Sequence, residues 1–467
     1  MIALTYAQVA EACAGELLLA PTDTASTTVS GGADTDSRLI QPGSVFFAMP
    51  GEHTDGHLFA HAAVENGAAL LIVEHPVDEA VTQIVVADGV VALAALARAV
   101  VALVRARGRL AVIGITGSNG KTTTKNLLRS ILEQAGPTVA PRGSFNNHIG
   151  APLSMLGITE ETEYLIVEMG ASGEGEIARL VDIVVPDIAV VLKVGLAHAG
   201  EFGGIDATQR AKSEIVTRLP ATSAAVLNAD DDRVAAMAGL TAARIVWFGL
   251  DGRADPRAED IEATATGTSF TLVTEEGSYP VRLRILGEHH VMNAIAALAV
   301  ARELGLDLPV AITAIEAVVR AERWRMEVLE PRPGVTVIND AYNASPDSMV
   351  AALKTLAQIA RGGRRSIAVL GEMAELGEYA RDEHDRIGRL IVRLNVSQLI
   401  VVGHGARHIH NAANLEGSWA GESVLVDTAD EAFALLDGTL VAGDIVLVKA
   451  SNSSGLRGLG DRLGGVA

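Results

Sequence analysis

Between residues 111 and 134 the sequence follows a strand–loop–helix pattern that few folds accommodate. The apolar run 111–115 leads into segment 116–123, T-G-S-N-G-K-T-T, which opens a helix predicted over 121–134. In this context the N–H groups of a glycine-rich loop and the positive end of the helix bind phosphate oxygens. The ammonium of Lys121 can reach the β- and γ-phosphates, and the hydroxyl of Thr122 can bind Mg²⁺. The pattern predicts a nucleoside triphosphate site formed by Gly117, Ser118, Asn119, Gly120, Lys121, Thr122 and Thr123.

This loop departs from the strict G-x-x-x-x-G-K-[ST] pattern. The position five residues before Gly120 is Ile115, and the preceding glycine is Gly114. A glycine-rich turn between a strand and a helix can also be purely structural. The Gly-Lys-Thr-Thr run in its strand–helix context nevertheless favours a nucleotide site.

The chain has 467 residues, which is long enough for about three domains of ordinary size. Short apolar strands and turn residues predict a small α/β domain over 1–88. Buried strands then alternate with amphipathic helices, which is typical of a parallel sheet covered on both faces. This predicts a central P-loop domain over 89–322, with further strands at 164–169 and 188–194 and a helix at 207–219.

A second series of strands and helices predicts a Rossmann-like domain over 323–467. Its strands are expected at 335–339, 366–370, 398–402 and 444–449, and its helices at 346–360 and 381–394. None of its helices opens on the G-x-G-x-x-G pattern of dinucleotide-binding proteins. The fold class expected for the whole chain is therefore α/β.

Charge and apolar patterning exclude several classes of protein. With 57 acidic against 37 basic residues, the net charge of −20 argues against a nucleic-acid-binding surface. The most apolar stretch, 89–104, carries Arg98 and predicts a buried helix rather than membrane insertion. Cys13 is the one cysteine, and no signal-peptide pattern opens the chain, so we expect a cytoplasmic protein. A monomer is also expected.

Two residues follow consecutive predicted strands of the central domain, where open α/β sheets place their ligands. Glu168 closes one strand, and His198 lies just beyond the next. Both are candidate magnesium ligands, although a buried glutamate or a packed histidine can be structural. Lys212 lies on the helix predicted over 207–219, and charge patterning alone leaves open whether it is a solvated surface lysine or a site residue.

Taken in order, the motifs resemble those of the Mur ligase family over nearly the full length of the chain. The loop form T-G-x-N-G-K-T-T is found in Mur ligases and folylpolyglutamate synthetases rather than in GTPases. The further motifs are V-E-M-G at 167–170, A-H-A-G-E-F-G at 197–203, A-K-S-E at 211–214, G-E-H-H-V-M-N-A at 287–294, W-R-M-E at 324–327 and N-D-A-Y-N-A-S-P-D-S-M at 339–349.

The resemblance implies roles for individual residues. It implies that Lys212 is carbamylated and, with Thr122, Glu168 and His198, binds Mg²⁺. It implies that Arg325 meets the γ-phosphate, so that the catalytic set is Lys121, Glu168, His198, Lys212 and Arg325. Adenine contacts are implied for His290 and Asn293, and a ribose contact for Asp340. Substrate contacts are implied for Ser37, Arg38, His57, Asn146, Asn147, Asn343 and Asp347.

Two motifs resemble the family member that adds D-alanyl-D-alanine to UDP-N-acetylmuramoyl-tripeptide: N-D-A-Y-N-A-S-P-D-S-M and G-E-M-A-E-L-G at 371–377. The D-N-P-R sequence of the member that adds the third amino acid does not occur. By this resemblance ATP phosphorylates the tripeptide carboxylate, and the dipeptide amine attacks the acyl-phosphate. The segment 448–457, V-K-A-S-N-S-S-G-L-R, departs from the V-K-G-S-R of many relatives.

Three alternatives stay open at this point. The chain could be another ligase of the family that uses a different amino acid or a folate. It could be a nucleotide-dependent switch, although no N-K-x-D motif for reading a guanine base occurs. It could also be a binding module without catalytic activity.

Overall fold

The structure is a computed structural model. It describes the chain except for residues 52, 198, 265, 321, 418 and 467 and the side chains of residues 199 and 201.

The N-terminal part of the chain forms a small mixed sheet. A capping box at Thr5 begins the first helix, Tyr6–Cys13, and a second helix covers Ala60–Glu65. A separate antiparallel pair joins Leu4–Thr5 to Thr28–Val29. The strand order is Glu16–Leu18, Thr82–Val85, Ala68–Val73, Ser44–Phe47 and Ala33–Asp34, in which the first pair is antiparallel and the others are parallel.

The central part contains the predicted parallel sheet. Its strand order is Arg244–Phe248, Ala224–Asn228, Ile188–Val191, Ala111–Thr116, Tyr164–Glu168 and Thr138–Val139. Helices cover both faces, which explains why its central strands are largely apolar. They are Gly89–Arg105, Lys121–Ala135, Gly150–Met155, Glu176–Ile183, Ala199–Phe202, Ile205–Thr217, Asp232–Ala235, His289–Glu303 and Leu308–Glu316.

The predicted strand 188–194 is too long, since the observed strand ends at Val191. Beyond it the backbone turns to support the loop between strand and helix. The carbonyl of Lys193 accepts a hydrogen bond from the N–H of Ser118 at 2.8 Å, and the N–H of Val194 donates to Asp231 at 3.0 Å. These contacts replace the sheet hydrogen bonds.

An antiparallel sheet, which the sequence did not predict, lies in the second half of the central part. Its strands are Arg257–Thr264, Gly267–Thr274 and Gly277–Leu283. Phe270, Leu272 and Val281 form a hydrophobic core with the helix His289–Glu303. The sheet therefore supports the helix that carries His290 and Asn293.

The C-terminal part contains the strands and helices that were predicted for its α/β domain, around one sheet that is mostly parallel. The sheet runs Glu327–Arg332, Val335–Asn339, Ile445–Lys449, Ser366–Leu370, Gln398–Val402 and Glu422–Val426, and only the first pair of these described strands is antiparallel. Its helices are Pro346–Ile359, Ala380–Arg393, Arg407–Leu415, Ala429–Leu436 and Arg457–Leu463.

Short 3₁₀ helices occur in all three parts of the chain. They lie at Ser37–Leu39, Gly56–Phe59, Ala236–Leu240, Gly377–Tyr379, His404–Ala406 and Asn452–Ser454.

The helix Gly89–Arg105 joins the first two parts of the chain. Leu93 and Leu96 belong to a hydrophobic core that also contains Val9 and Leu180, one residue from each side of the helix along the chain. The expected boundary between residues 88 and 89 therefore separates two sheets but not two cores. Within the described residues no helix is both long and apolar enough to span a bilayer.

Candidate active site

Most of the predicted site residues line one cavity of about 590 Å³ between the central and C-terminal sheets. It opens at the carboxyl ends of the strands Ala111–Thr116 and Tyr164–Glu168, where parallel sheets place their ligands. The predicted residues on its wall are Gly117, Ser118, Asn119, Gly120, Lys121, Thr122, Thr123, Asn146, Asn147, Glu168, Lys212, His290, Asn293, Arg325, Asp340, Asn343 and Asp347.

The loop before the helix Lys121–Ala135 has the backbone shape of a phosphate cradle. Gly120 precedes the helix with φ of 87°, and a β-carbon at this position would overlap with Oδ1 of Asn293. The first N–H groups of an α-helix have no partner within the helix, so those of residues 121–123 can bind an anion. The N–H of Thr124 is the first to donate within the helix, to Gly120 at 2.9 Å.

The ammonium of Lys121 lies inside this cradle and donates to the carbonyl of Gly117 at 2.8 Å. Burial lowers its pKa, Glu168 opposes this shift, and Arg325 adds to it. A half-buried cation whose hydrogen-bond partner is a neutral carbonyl is electrostatically unsatisfied. The cradle is therefore suited to a polyanionic ligand such as a triphosphate.

Beside the cradle, a hydroxyl and a carboxylate form a pair of buried oxygen ligands. The side chain of Thr122 donates to Oε2 of Glu168 at 3.1 Å, and Asn146 donates to Oε1 at 2.8 Å. Glu168 is 0% exposed, and both of these partners are neutral. Hydroxyl and carboxylate oxygens are the ligands that Mg²⁺ prefers, so these residues fit a magnesium ion beside bound phosphates.

Lys212 is buried at 2% exposure, which excludes the alternative of a solvated surface lysine. It lies on the helix Ile205–Thr217, with its Nζ 5.6 Å from the centre of the Phe202 ring. Burial, with a contribution from Lys121, lowers its pKa to about 7. A substantial fraction of the amine is therefore uncharged near neutral pH. His198, which was predicted as a magnesium ligand together with Lys212, is outside the described residues.

Several buried polar atoms on the cavity wall have no hydrogen-bond partner in the described part of the chain. They are Nδ2 of Asn119, Nε2 of His290 and Nε of Arg325. An unpaired buried donor costs about 1–3 kcal/mol, so a polar ligand is expected to satisfy them.

His290 and Asn293 lie one turn apart on the helix His289–Glu303. Nδ2 of Asn293 lies 3.2 Å from Nδ1 of His290, which places the proton of the neutral ring on the unpaired Nε2. Burial holds the pKa of His290 well below its usual value. Oδ1 of Asn293 accepts a hydrogen bond from Thr124 at 3.4 Å, which ties this pair to the phosphate loop.

Arg325 enters the cavity from a strained connection between the central and C-terminal sheets. Its neighbours Trp324 and Met326 have φ of 57° and 50°, in the left-handed region that bulky residues rarely adopt. The Arg325 guanidinium lies 4.2 Å from the centre of the Tyr342 ring. Strain that the fold maintains in this way is common at functional sites.

Asp340 is committed to a buried ion pair. Its Oδ2 lies 2.6 Å from Nζ of Lys449, and its Oδ1 accepts from the N–H of Met326 at 3.0 Å. Lys449, which is 2% exposed, also donates to the carbonyl of Asn343 at 3.0 Å. Sequence reasoning missed Lys449 as a site residue, although its position at the end of a buried strand was a signal.

The cavity mouth is crossed by contacts between the central and C-terminal parts. Nζ of Lys193 lies 3.1 Å from Oδ1 of Asp347, and the hydroxyl of Ser144 contacts that of Tyr342. Lys193, Ser144 and Tyr342 were not predicted as site residues. Asn147, which was predicted, accepts a hydrogen bond at 2.8 Å from the N–H of Gly150, the first residue of the helix Gly150–Met155.

The predicted residues Ser37, Arg38 and His57 lie in the N-terminal part, away from this cavity wall. Ser37 is buried, whereas the Arg38 side chain is 85% exposed and pairs with Asp36 at 2.6 Å. His57 is buried, and both its ring nitrogens are engaged. Its Nε2 accepts from the N–H of Glu74 at 2.9 Å, and its Nδ1 lies 2.6 Å from Asp55. Their substrate contacts stay predictions.

The divergent segment near the C-terminus contacts the 371–377 motif and Trp324, the neighbour of Arg325. The hydroxyl of Ser451 accepts from the N–H of Ala374 at 2.8 Å, within the predicted G-E-M-A-E-L-G motif. The guanidinium of Arg457 lies 4.9 Å from the centre of the Trp324 ring. The segment therefore supports both the motif and the connection that carries Arg325.

Comparisons with known proteins agree with this architecture. Family models match in order along the chain: the Mur ligase family catalytic domain at residues 32–115, the Mur ligase middle domain at 115–301, and the Mur ligase glutamate ligase domain at 324–452. An α/β chain with this phosphate loop and these matches belongs to the Mur ligase family.

Individual relatives within the family are similar over most of the chain. The UDP-N-acetylmuramoyl-tripeptide–D-alanyl-D-alanine ligase of Mycobacterium tuberculosis is 46% identical over 99% of this chain and 98% of its own. A crystal structure of MurF from Acinetobacter baumannii superposes with a TM-score of 0.88 at 33% identity and covers 99% of both chains. MurF from Thermotoga maritima, solved in complex with ADP, gives a TM-score of 0.80 at 28% identity and covers 93% of this chain and 97% of its own.

Proposed function

We propose that this chain joins UDP-N-acetylmuramoyl-tripeptide to D-alanyl-D-alanine in an ATP-dependent reaction of peptidoglycan precursor synthesis. Relatives that are similar over 91–99% of the chain are named as ligases that add D-alanyl-D-alanine. The observation that carries the proposal is the single cavity that unites the phosphate cradle, the buried Thr122–Glu168 pair and Arg325.

The proposed chemistry begins with activation of a carboxylate, because its oxygen is a poor leaving group. Transfer of the γ-phosphoryl group of ATP to the tripeptide carboxylate gives an acyl-phosphate and ADP. The free amine of D-alanyl-D-alanine attacks the acyl carbon, and the tetrahedral intermediate collapses with loss of inorganic phosphate. One ATP is thus consumed for each amide bond formed.

The chain's own residues lower the electrostatic barrier to the first step. Two anions must approach each other, and preorganised cations stabilise the charge on the phosphoryl oxygens. Lys121 within the cradle and Arg325 at the interdomain connection supply these cations. His290 and Asn293 would hold the adenine, and Asp340 the ribose, with Lys449 orienting the Asp340 carboxylate.

Thr122 and Glu168 would hold a magnesium ion, which neutralises phosphoryl charge when bound. His198 and a carbamylated Lys212 would hold a second ion. The low pKa of Lys212 supports this part of the proposal, since an uncharged amine is the form that adds CO₂.

Substrate recognition is divided between the parts of the chain. Residues 1–88 would bind the UDP group through Ser37, Arg38 and His57. Asn146 and Asn147 of the central domain, 89–322, and Asn343 and Asp347 of the C-terminal domain, 323–467, would contact the reacting ends. A cytoplasmic, monomeric enzyme completes the proposal.

A phosphate-release assay tests it most directly. The protein is incubated with ATP, Mg²⁺ and a panel of UDP-muramoyl peptides, with and without D-alanyl-D-alanine. Phosphate release is measured, and the mass of the product is determined by mass spectrometry. Release that needs both the tripeptide and the dipeptide supports the proposal. Turnover with another amino acid would identify a different family ligase, and nucleotide binding without coupled turnover would indicate a switch or a binding module.

A further inference from the structure

Lys125 is a buried cation whose role is not explained by the chemistry above. It lies one turn after Lys121 on the helix Lys121–Ala135 and is 1% exposed. Its Nζ donates to the carbonyls of Pro141 at 2.9 Å and Gly143 at 2.6 Å. Burying an ammonium against neutral carbonyls is costly, so a contribution to stability is a poor explanation for it.

The two carbonyls belong to an irregular stretch, residues 140–149, here called the Asn146 segment. Such a stretch depends on side-chain contacts for its shape, because it lacks the regular hydrogen bonds of a helix or strand. Lys125 fixes its first half, and the carbonyl of Asn146 accepts from the N–H of Gly170 at 2.8 Å in its second half.

The Asn146 segment reaches two other parts of the site. The amide of Asn146 donates to Oε1 of Glu168 at 2.8 Å, and Ser144 contacts Tyr342 across the gap between the central and C-terminal sheets. Ser144, Asn146 and Asn147 all line the cavity. A shift of this segment would therefore move the surface around Glu168 without moving the phosphate loop.

We propose that Lys125 is a positioning residue for ligation: its ammonium holds the Asn146 segment so that Asn146 orients the Glu168 carboxylate and the segment faces the acceptor. The inference rests on the proposed ligase function. Lys125 lies on the same helix whose first turn forms the phosphate cradle. The inference therefore links phosphate binding at the cradle to the placement of the Asn146 segment.

The test uses the full-length protein with Lys125→Met, which keeps the length of the side chain but removes its charge and donors. Arg129→Met is the matched control, since Arg129 lies one turn further along the same helix and is exposed. Among the described residues its ion pair is with Glu133 of the same helix, at 2.6 Å. Lys125→Arg asks whether a cationic donor restores function. ADP affinity is measured by calorimetry without acceptor, and kcat and KM are measured with varied UDP-muramoyl tripeptide.

We expect kcat/KM for the tripeptide to fall by about tenfold or more in Lys125→Met, with ADP affinity changed by less than about threefold. Lys125→Arg should recover part of the loss, and Arg129→Met should show none. A parallel fall in ADP affinity and kcat/KM, or wild-type kinetics in Lys125→Met, would overturn the inference.

Hydrogen exchange separates this inference from the ligase proposal. Amides of residues 142–150 should exchange faster in Lys125→Met and at the wild-type rate in Arg129→Met, whatever the substrate of the enzyme is. Unchanged exchange would refute the positioning role even if the kinetics changed. If Lys125→Met does not fold, Lys125→Gln, which keeps donors without the charge, is measured in the same way. Absence of wild-type turnover with the tripeptide would refute the proposed function, while the exchange data would still decide the role of Lys125.

Discussion

The hydroxyl of Thr122 lies 3.1 Å from Oε2 of Glu168, although the two residues are 46 positions apart in the chain. Thr122 lies in the first turn of the helix after the phosphate loop, and Glu168 ends the strand Tyr164–Glu168. The strand Ala111–Thr116, which leads into the phosphate loop, pairs in parallel with the strand Tyr164–Glu168. This pairing brings the hydroxyl and the carboxylate to the same edge of the sheet. The proposed pair of magnesium ligands thus follows from the topology and not from a contiguous motif.

Replacing Glu168 by Gln should lower kcat by about 100-fold or more, because the metal loses its anionic ligand. The fold should survive, since a buried charge with neutral partners is removed. Phosphate release and thermal unfolding measure the two effects. Glu161→Gln, an exposed change just before the same strand, is the control, and near-normal turnover in Glu168→Gln would contradict the magnesium assignment.

Lys121→Met should abolish phosphate release at saturating substrates, because no other cation lies within the cradle formed by residues 117–123. The exposed Lys354 on the helix Pro346–Ile359 provides a matched Lys→Met control, which should retain full turnover. Substantial activity in the Lys121 variant would show that the loop does not bind the transferred phosphoryl group.

Asn293→Ala should chiefly raise the KM for ATP, by about tenfold. The amide supports the phosphate loop through Thr124 and fixes the His290 ring, so its loss disturbs nucleotide binding more than the chemical step. Steady-state kinetics with varied ATP measure the change, and Asn414→Ala on the exposed face of a C-terminal helix is the control. An unchanged KM for ATP would place the nucleotide elsewhere.

Lys212 should react with CO₂ in a pH-dependent manner. With its pKa lowered to about 7, the ammonium predominates below that pH and the free amine above it. The carbamate signal from ¹³C-labelled bicarbonate should therefore grow as pH rises from about 6 to about 8. It should be absent in Lys212→Ala and unchanged in Lys354→Met.

The same variant gives a kinetic test of the carbamate. Lys212→Ala should lose kcat more than ATP affinity, because the first magnesium site and the phosphate loop remain. Added short-chain carboxylates should restore part of the activity by occupying the vacated space. Full activity without them would show that Lys212 has no role as a metal ligand.

Local sequence was sufficient for the phosphate loop and for most strands around it. The strands Val335–Asn339, Ser366–Leu370 and Gln398–Val402 were predicted at their observed bounds, because buried parallel strands are uniformly apolar. The antiparallel strand Arg257–Thr264 was missed because its exposed residues carry charge and leave a weak apolar signal.

Contacts between distant parts of the chain were beyond local patterns. Ser144 and Tyr342 meet across 198 positions, and the Asp340–Lys449 pair closes over 109. Neither contact leaves a periodic signal, since each depends on how two sheets face each other. The resemblance implied that Asp340 contacts the ribose of the nucleotide. It gave no reason to expect that Lys449 would be its buried cationic partner.

The helix Gly89–Arg105 shares one hydrophobic core with the N-terminal and central parts of the chain. This shared core should determine the order in which the parts unfold in denaturant. Residues 1–316 should lose their structure in one cooperative transition, whereas the C-terminal sheet, with its own cores, should unfold in a separate one. Trp247 reports on the first unit and Trp419 on the second, so single-tryptophan variants can follow each by fluorescence in urea. Removing residues 1–88 would expose the apolar face of that helix. A fragment of the ATP-binding part for crystallography should therefore start at residue 1 rather than at residue 89.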